Sequence, residues 1–142
     1  MEYYPLAISH KAQTTIKGVC SQYNVIVKDS RKDGGGDVPC YEGQYMVWTP
    51  TDAAVSKNSW ENRKSADDMW IVERNKCADT NQAHVDSAPA EANRLRITFW
   101  RNRLGAPYKF IGVYQIDLTL TDLVGVRIYR KISNDLPVLE IK

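Results

Sequence analysis

At 142 residues the chain is long enough for one compact domain that buries its apolar surface without disulfides or metals, and residues 1–142 are expected to form a single domain. An apolar content of 43% and a charged content of 25%, with four Trp and eight Tyr, exclude a disordered chain. The net charge of +2 excludes a uniformly basic protein, yet residues 1–93 balance at −3 and residues 94–142 at +5.

The opening residues, MEYYPLAISHK, carry an acid at Glu2 and no long apolar run, so neither a secretory signal nor a membrane helix is expected, and the cytoplasm is the expected compartment. In chain order, Pro5 and LAISHKAQTTIKG predict a short helix stopped at Gly18. Residues 19–28, VCSQYNVIVK, have the β-branched and aromatic content of a strand. DSRKDGGGDVP breaks regular structure, because three glycines between Asp33 and Asp37 hold too much backbone freedom for a helix or strand. No Lys-Ser or Lys-Thr follows to make it a phosphate loop.

GQYMVWTP predicts a strand through Tyr45, Met46, Val47 and Trp48. TDAAVSKNSWENRKSADD is polar and turn-rich, with helical turns capped by Thr51 or Ser59. DMWIVERN is a further strand. Residues 75–93, small and polar with Pro89, read as a long exposed loop.

Three strong strands follow, RLRITFWRNR, YKFIGVYQIDLTL and VGVRIYRKI, and LPVLEIK supplies a short terminal one. Alternation in the first assigns Leu95, Ile97 and Phe99 to the core and Arg94, Arg96, Thr98 and Trp100 outward. In the third, Val124, Val126, Ile128 and Ile132 take the core face, and Arg127, Tyr129 and Lys131 the outward one. The middle segment is apolar on both faces and predicts a central strand, with Gly112 marking a bend or a close backbone approach. Six or seven strands, one or two short helices and no βαβ alternation predict a mainly β (β-rich α+β) fold, a small bent antiparallel barrel.

From Arg94 to Lys131 there are eight Lys or Arg against Asp117 and Asp122. A rigid sheet that gathers cations beside aromatic rings suits a polyanion, although solvated strands also collect Lys and Arg to stay soluble. This nominates Arg94, Arg96, Arg101, Arg103, Lys109, Arg127 and Lys131 for phosphates. A base would stack in a pocket drawn from Trp60, Trp100, Trp48, Trp70 and Tyr41, at about 1–3 kcal/mol per base. Asp68, Glu61 or Asn62 would read its edge. Trp60, in the polar NSWENR segment, is the best cage candidate, whereas Trp48 and Trp70 lie in apolar runs that suit a core.

Catalytic motifs are missing: there is no GxSxG, Walker loop or HExxH, His10 and His84 are far apart, and three scattered cysteines suggest neither a disulfide framework nor zinc. No cofactor is implied, and His84 reads as a surface histidine. Asp67, Asp68 and Glu73 carry a nuclease alternative, without a matching Asp…Glu-x-Lys.

Tyr108, Phe110, Gly112 and Tyr114 form a Y-x-F-x-G-x-Y strand, followed by Arg127, Tyr129 and Arg130. This resembles the end of PUA-like and SRA-like β-barrels attached to bacterial restriction nucleases. YMVWTP and SWENRKSADDMWIVERN share the likeness, which spans about half of the chain. The resemblance implies a PUA-like barrel whose concave face takes nucleic acid, DNA or RNA, or a flipped, modified base, with a nuclease as partner. The expected function is thus non-enzymatic binding of nucleic acid or a modified nucleotide. The alternative is a small interaction protein of bacteria or their phages that binds a soluble signalling nucleotide or a partner protein as a homo-oligomer.

Overall fold

The computed structural model describes residues 2–4, 36–40, 45–103, 106, 108–135 and 139–141. The helix expected over residues 5–18, the strand over 19–28 and Tyr41 lie outside the described residues. Nine strands and three short helices are described: β1 (Glu2–Tyr4), β2 (Gly36–Cys40), β3 (Tyr45–Thr49), β4 (Trp60–Lys64), β5 (Trp70–Asn75), α1 (Ala78–Asp86), α2 (Ala88–Glu91), β6 (Leu95–Trp100), β7 (Lys109–Ile116), α3 (Leu118–Val124), β8 (Arg127–Ser133) and β9 (Leu139–Ile141). Seven strands form one sheet in the order β2-β3-β6-β7-β8-β5-β4, and β1 pairs with β9. All neighbours are antiparallel except β3 and β6, which run parallel because the β4–β5 hairpin and both helices intervene between them in the chain. The mainly β fold is therefore as expected, with one parallel pair inside it.

Four segments differ from the sequence reading. The end of the glycine-rich stretch, Gly36–Cys40, pairs with β3 as a strand. The polar stretch contains β4, held against β5 by a turn in which Asp68 takes φ 61° and its N–H donates to the Ser65 carbonyl at 3.0 Å. Residues 78–91 are helical, since Ala, Gln and Glu favour helix even where little is buried, and Val85 and Ala88 are their buried side chains. The long middle segment is a strand and then a helix. The Asp117 side chain accepts from the Leu120 N–H at 2.9 Å to start α3, and Gly125, at φ 83°, ends it.

Pairing slips between Thr98 and Phe99 and between Val113 and Tyr114, and such bulges bend a sheet. Gly112 lies beside them at φ 147°, where a Cβ would stand 2.7 Å from the Lys131 side chain. Glycine is the residue that permits this approach. Trp48, Ile71, Ala88, Trp100, Tyr114, Ile116 and Tyr129 form a core cluster.

The outward faces predicted for β6 and β8 are interior. Arg96 is 2% exposed, Thr98 0%, Trp100 4%, Arg127 2% and Tyr129 0%, whereas Ile132 and Val124 are exposed. Alternation is preserved, but both faces of β6 are covered, and one carries polar groups into a cavity. Among the described residues no helix is long and apolar enough to cross a membrane.

Candidate functional site

Strands β3, β4, β5, β6 and β8 converge with α1 and α2 on a cavity of about 460 Å³, within the roughly 300–1,000 Å³ of small-molecule pockets. Trp48 and Trp60 supply aromatic wall, and Trp60 meets the His84 ring edge-on at 4.6 Å. Asn62, Glu73, Glu91, Arg96 and Arg127 supply polar wall.

These charges are bonded to one another. Glu91 Oε2 accepts from Arg96 Nη2 at 3.1 Å and from Arg127 Nη1 at 2.5 Å. Arg127 also donates to the His84 carbonyl at 2.7 Å and to Ser87 Oγ at 2.7 Å. The Arg96 guanidinium lies 4.9 Å from the Trp48 ring and 4.8 Å from the Tyr129 ring. Glu73 Oε1 accepts from the Tyr129 hydroxyl at 2.8 Å and lies 2.6 Å from His84 Nε2.

Burial pushes the Glu73 carboxyl up, but His84, Arg96 and the Tyr129 hydroxyl together hold it below its ordinary value. Glu91 behaves alike: burial opposes ionisation and Arg127, followed by Arg96 and His84, overcomes it. Burial, reinforced by Glu73, raises the Tyr129 phenol, so it stays a donor. Two cations thus face two carboxylates, and the cavity offers fixed dipoles in place of a net field.

Asn62 is 2% exposed, and its Nδ2 donates to the Thr51 carbonyl at 3.1 Å, whereas its Oδ1 has no donor among the described residues. A buried acceptor left unmet costs about 1–3 kcal/mol.

A second cavity, of about 740 Å³, is lined by Arg63, Lys64, Arg101, Arg103 and Lys109 against the carboxylates Asp52 and Asp68. Trp100 lines it too, with its indole Nε1 donating to Asp52 Oδ2 at 3.0 Å. The predicted site residues are therefore divided. Trp48, Trp60, Arg96 and Arg127 meet in the first cavity; Trp100, Asp68, Arg101, Arg103 and Lys109 meet in the second. Trp70, Arg94 and Lys131 line neither, and the Lys131 ammonium sits 5.8 Å from the Tyr114 ring centroid.

Asp67 and Asp68 shape the β4–β5 turn, where Asp67 Oδ1 accepts from Ser65 Oγ at 2.6 Å and Lys64 binds Asp68 Oδ1 at 2.6 Å. Glu73 lies in the other cavity, so the three carboxylates of the nuclease alternative do not converge. His84 is half-buried against Glu73, which corrects its reading as a surface histidine. Ser87 and Glu91 escape sequence reasoning because their segment, small and polar, reads as a loop. The alanines and Glu of residues 78–92 carry the helix signal.

The curled β-sheet with its short helices is a PUA/SRA-like fold. The chain belongs to the SRA family, the SET and RING associated domain, which matches residues 8–138. Domains of this family are DNA-binding modules. Among solved structures the chain is similar to the 5-hydroxymethylcytosine-specific restriction enzyme AbaSI, with a TM-score of 0.67, 19% identity and coverage of 92% of this chain. The match spans 41% of that enzyme's chain. No curated protein matches the sequence.

Proposed function

We propose that this domain binds DNA containing a modified base and holds that base, turned out of the helix, in the first cavity. The observation that carries the reading is the half-buried Trp60 ring beside the buried Asn62 side chain in a cavity whose charges cancel. A planar, uncharged ring gains stacking on Trp60 there, and a small rotation of the Asn62 amide turns its unmet oxygen toward a donor on that ring, such as an exocyclic amine or a hydroxyl substituent. Extrusion costs a few kcal/mol, which these contacts offset. The similarity to a 5-hydroxymethylcytosine-specific enzyme supports a modified cytosine as the base. The domain acts by recognition, and a nuclease is the partner that recognition would direct.

The test is fluorescence anisotropy with duplexes identical except for one cytosine, 5-methylcytosine or 5-hydroxymethylcytosine. Tighter binding to a modified duplex is expected. Equal affinity for all three, or none for any, defeats the proposal. A thermal shift produced by free nucleotides instead of duplex supports a soluble-nucleotide receptor.

A further inference from the structure

We infer that the second cavity is a seat for the DNA phosphodiester backbone, built separately from the base cavity and joined to it through one wall. The inference rests on the DNA-binding reading above but does not require a modified base.

The two cavities differ in how their charges are used. In the first, Arg96 and Arg127 share Glu91. In the second, five cations face two carboxylates, and both carboxylates are already engaged, Asp52 by Trp100 and the Ala54 N–H at 2.8 Å, Asp68 by Lys64. Arg103 and Lys109 have no carboxylate partner among the described residues. The Arg101 guanidinium rests 4.5 Å from the Tyr108 ring centroid, which fixes its direction without neutralising it. Three uncompensated cations along one concave surface repel one another and raise the local anion concentration.

Position reinforces charge. Arg101 and Arg103 follow β6 and Lys109 opens β7, where Trp100 and Lys109 are cross-strand partners, so one hairpin presents all three. The shared wall is the contact between residues 51–53 and β4. Asn62 N–H donates to the Thr51 carbonyl at 3.2 Å, and Ala53 N–H to the Asn62 carbonyl at 2.8 Å. Thr51 and Asn62 line the first cavity; their chain neighbours Asp52 and Arg63 line the second. A nucleotide whose base occupies one cavity can carry its backbone across this wall into the other.

The experiment measures duplex affinity against salt for the wild-type chain, for Arg103→Gln/Lys109→Gln, and for Arg130→Gln, an exposed cation outside both cavities. The slope of log K against log salt should flatten by about 0.9 for each phosphate that the double variant no longer neutralises. Arg130→Gln should leave it unchanged. The melting temperature should hold, because neither Arg103 nor Lys109 has a carboxylate partner among the described residues. The modified-to-unmodified affinity ratio should also be preserved. An unchanged slope in the double variant, or an equal flattening in Arg130→Gln, overturns the seat. Steep salt dependence in the wild type without preference for a modified base overturns the base cavity and leaves the seat standing.

Discussion

Arg96 and Arg127, 31 positions apart on β6 and β8, donate to the same oxygen of Glu91 on α2. A carboxylate on a four-residue helix thereby ties two strands together across the base cavity.

Replacing Glu91 with Gln removes the counter-charge of two guanidiniums that are each 2% exposed. Breaking a buried pair in this way costs about 3–5 kcal/mol. Urea unfolding should show that loss for Glu91→Gln, whereas Arg74→Gln, whose cation is half exposed and paired with Glu61, should lie within about 1 kcal/mol of wild type.

Trp60 and Trp48 should separate in their effects. Trp60 is half-buried at the cavity rim, so Trp60→Ala should weaken binding of a modified duplex by about 1–3 kcal/mol with little change in melting temperature. Trp48 is 2% exposed in the core cluster, and its replacement by Ala should cost about 3–5 kcal/mol of folding stability. Parallel anisotropy and thermal melts distinguish these outcomes.

Asn62→Leu removes the unmet acceptor, together with the Nδ2 donor to the Thr51 carbonyl, while retaining bulk. Preference for the modified over the unmodified duplex should fall by about 1–3 kcal/mol, the size of one good base-edge contact. Competition titrations read this directly, and an unchanged ratio would remove Asn62 from base recognition.

Stability should fall in acid. The carboxyls of Glu73 and Glu91 are held below their ordinary value of 4.5 in the folded chain, so below that pH the unfolded chain binds more protons. Their contribution is fully present above the unfolded value and disappears as pH drops through the lower folded values. Urea midpoints at pH 6, 4.5 and 3 should decline in that order, with the steeper step between pH 4.5 and 3. Glu91→Gln should flatten the decline.

Gly112→Ala places a side chain at φ 147° and 2.7 Å from the Lys131 methylenes. Strain of this kind costs about 1–3 kcal/mol. The melting temperature should fall accordingly, and shortening Lys131 to Ala in the same chain should restore only part of it, since the backbone strain persists.

Composition and period-2 alternation make β3, β5, β6 and β8 legible, because their β-branched and aromatic residues state both the strand and its two faces. The closing strand LPVLEIK and the close approach at Gly112 are equally readable. The helices are harder: α1 and α2 bury little, so no apolar stripe announces them, and α3 continues an apolar run whose break rests on Asp117 alone.

The β-rich character, the cationic last third and the supply of tryptophans are properties of residues and their order, and the chain declares them locally. Which face of β6 and β8 is interior is not local. Arg96 and Arg127 look solvated in one dimension, and they are buried because Glu91, Trp48 and Tyr129 arrive from elsewhere to neutralise and cover them. Likewise the division of one row of cations into a balanced cavity and an uncompensated one depends on where distant carboxylates land. Electrostatic compensation and burial are sums over neighbours in space, so they are decided only when the sheet curls and brings those neighbours together.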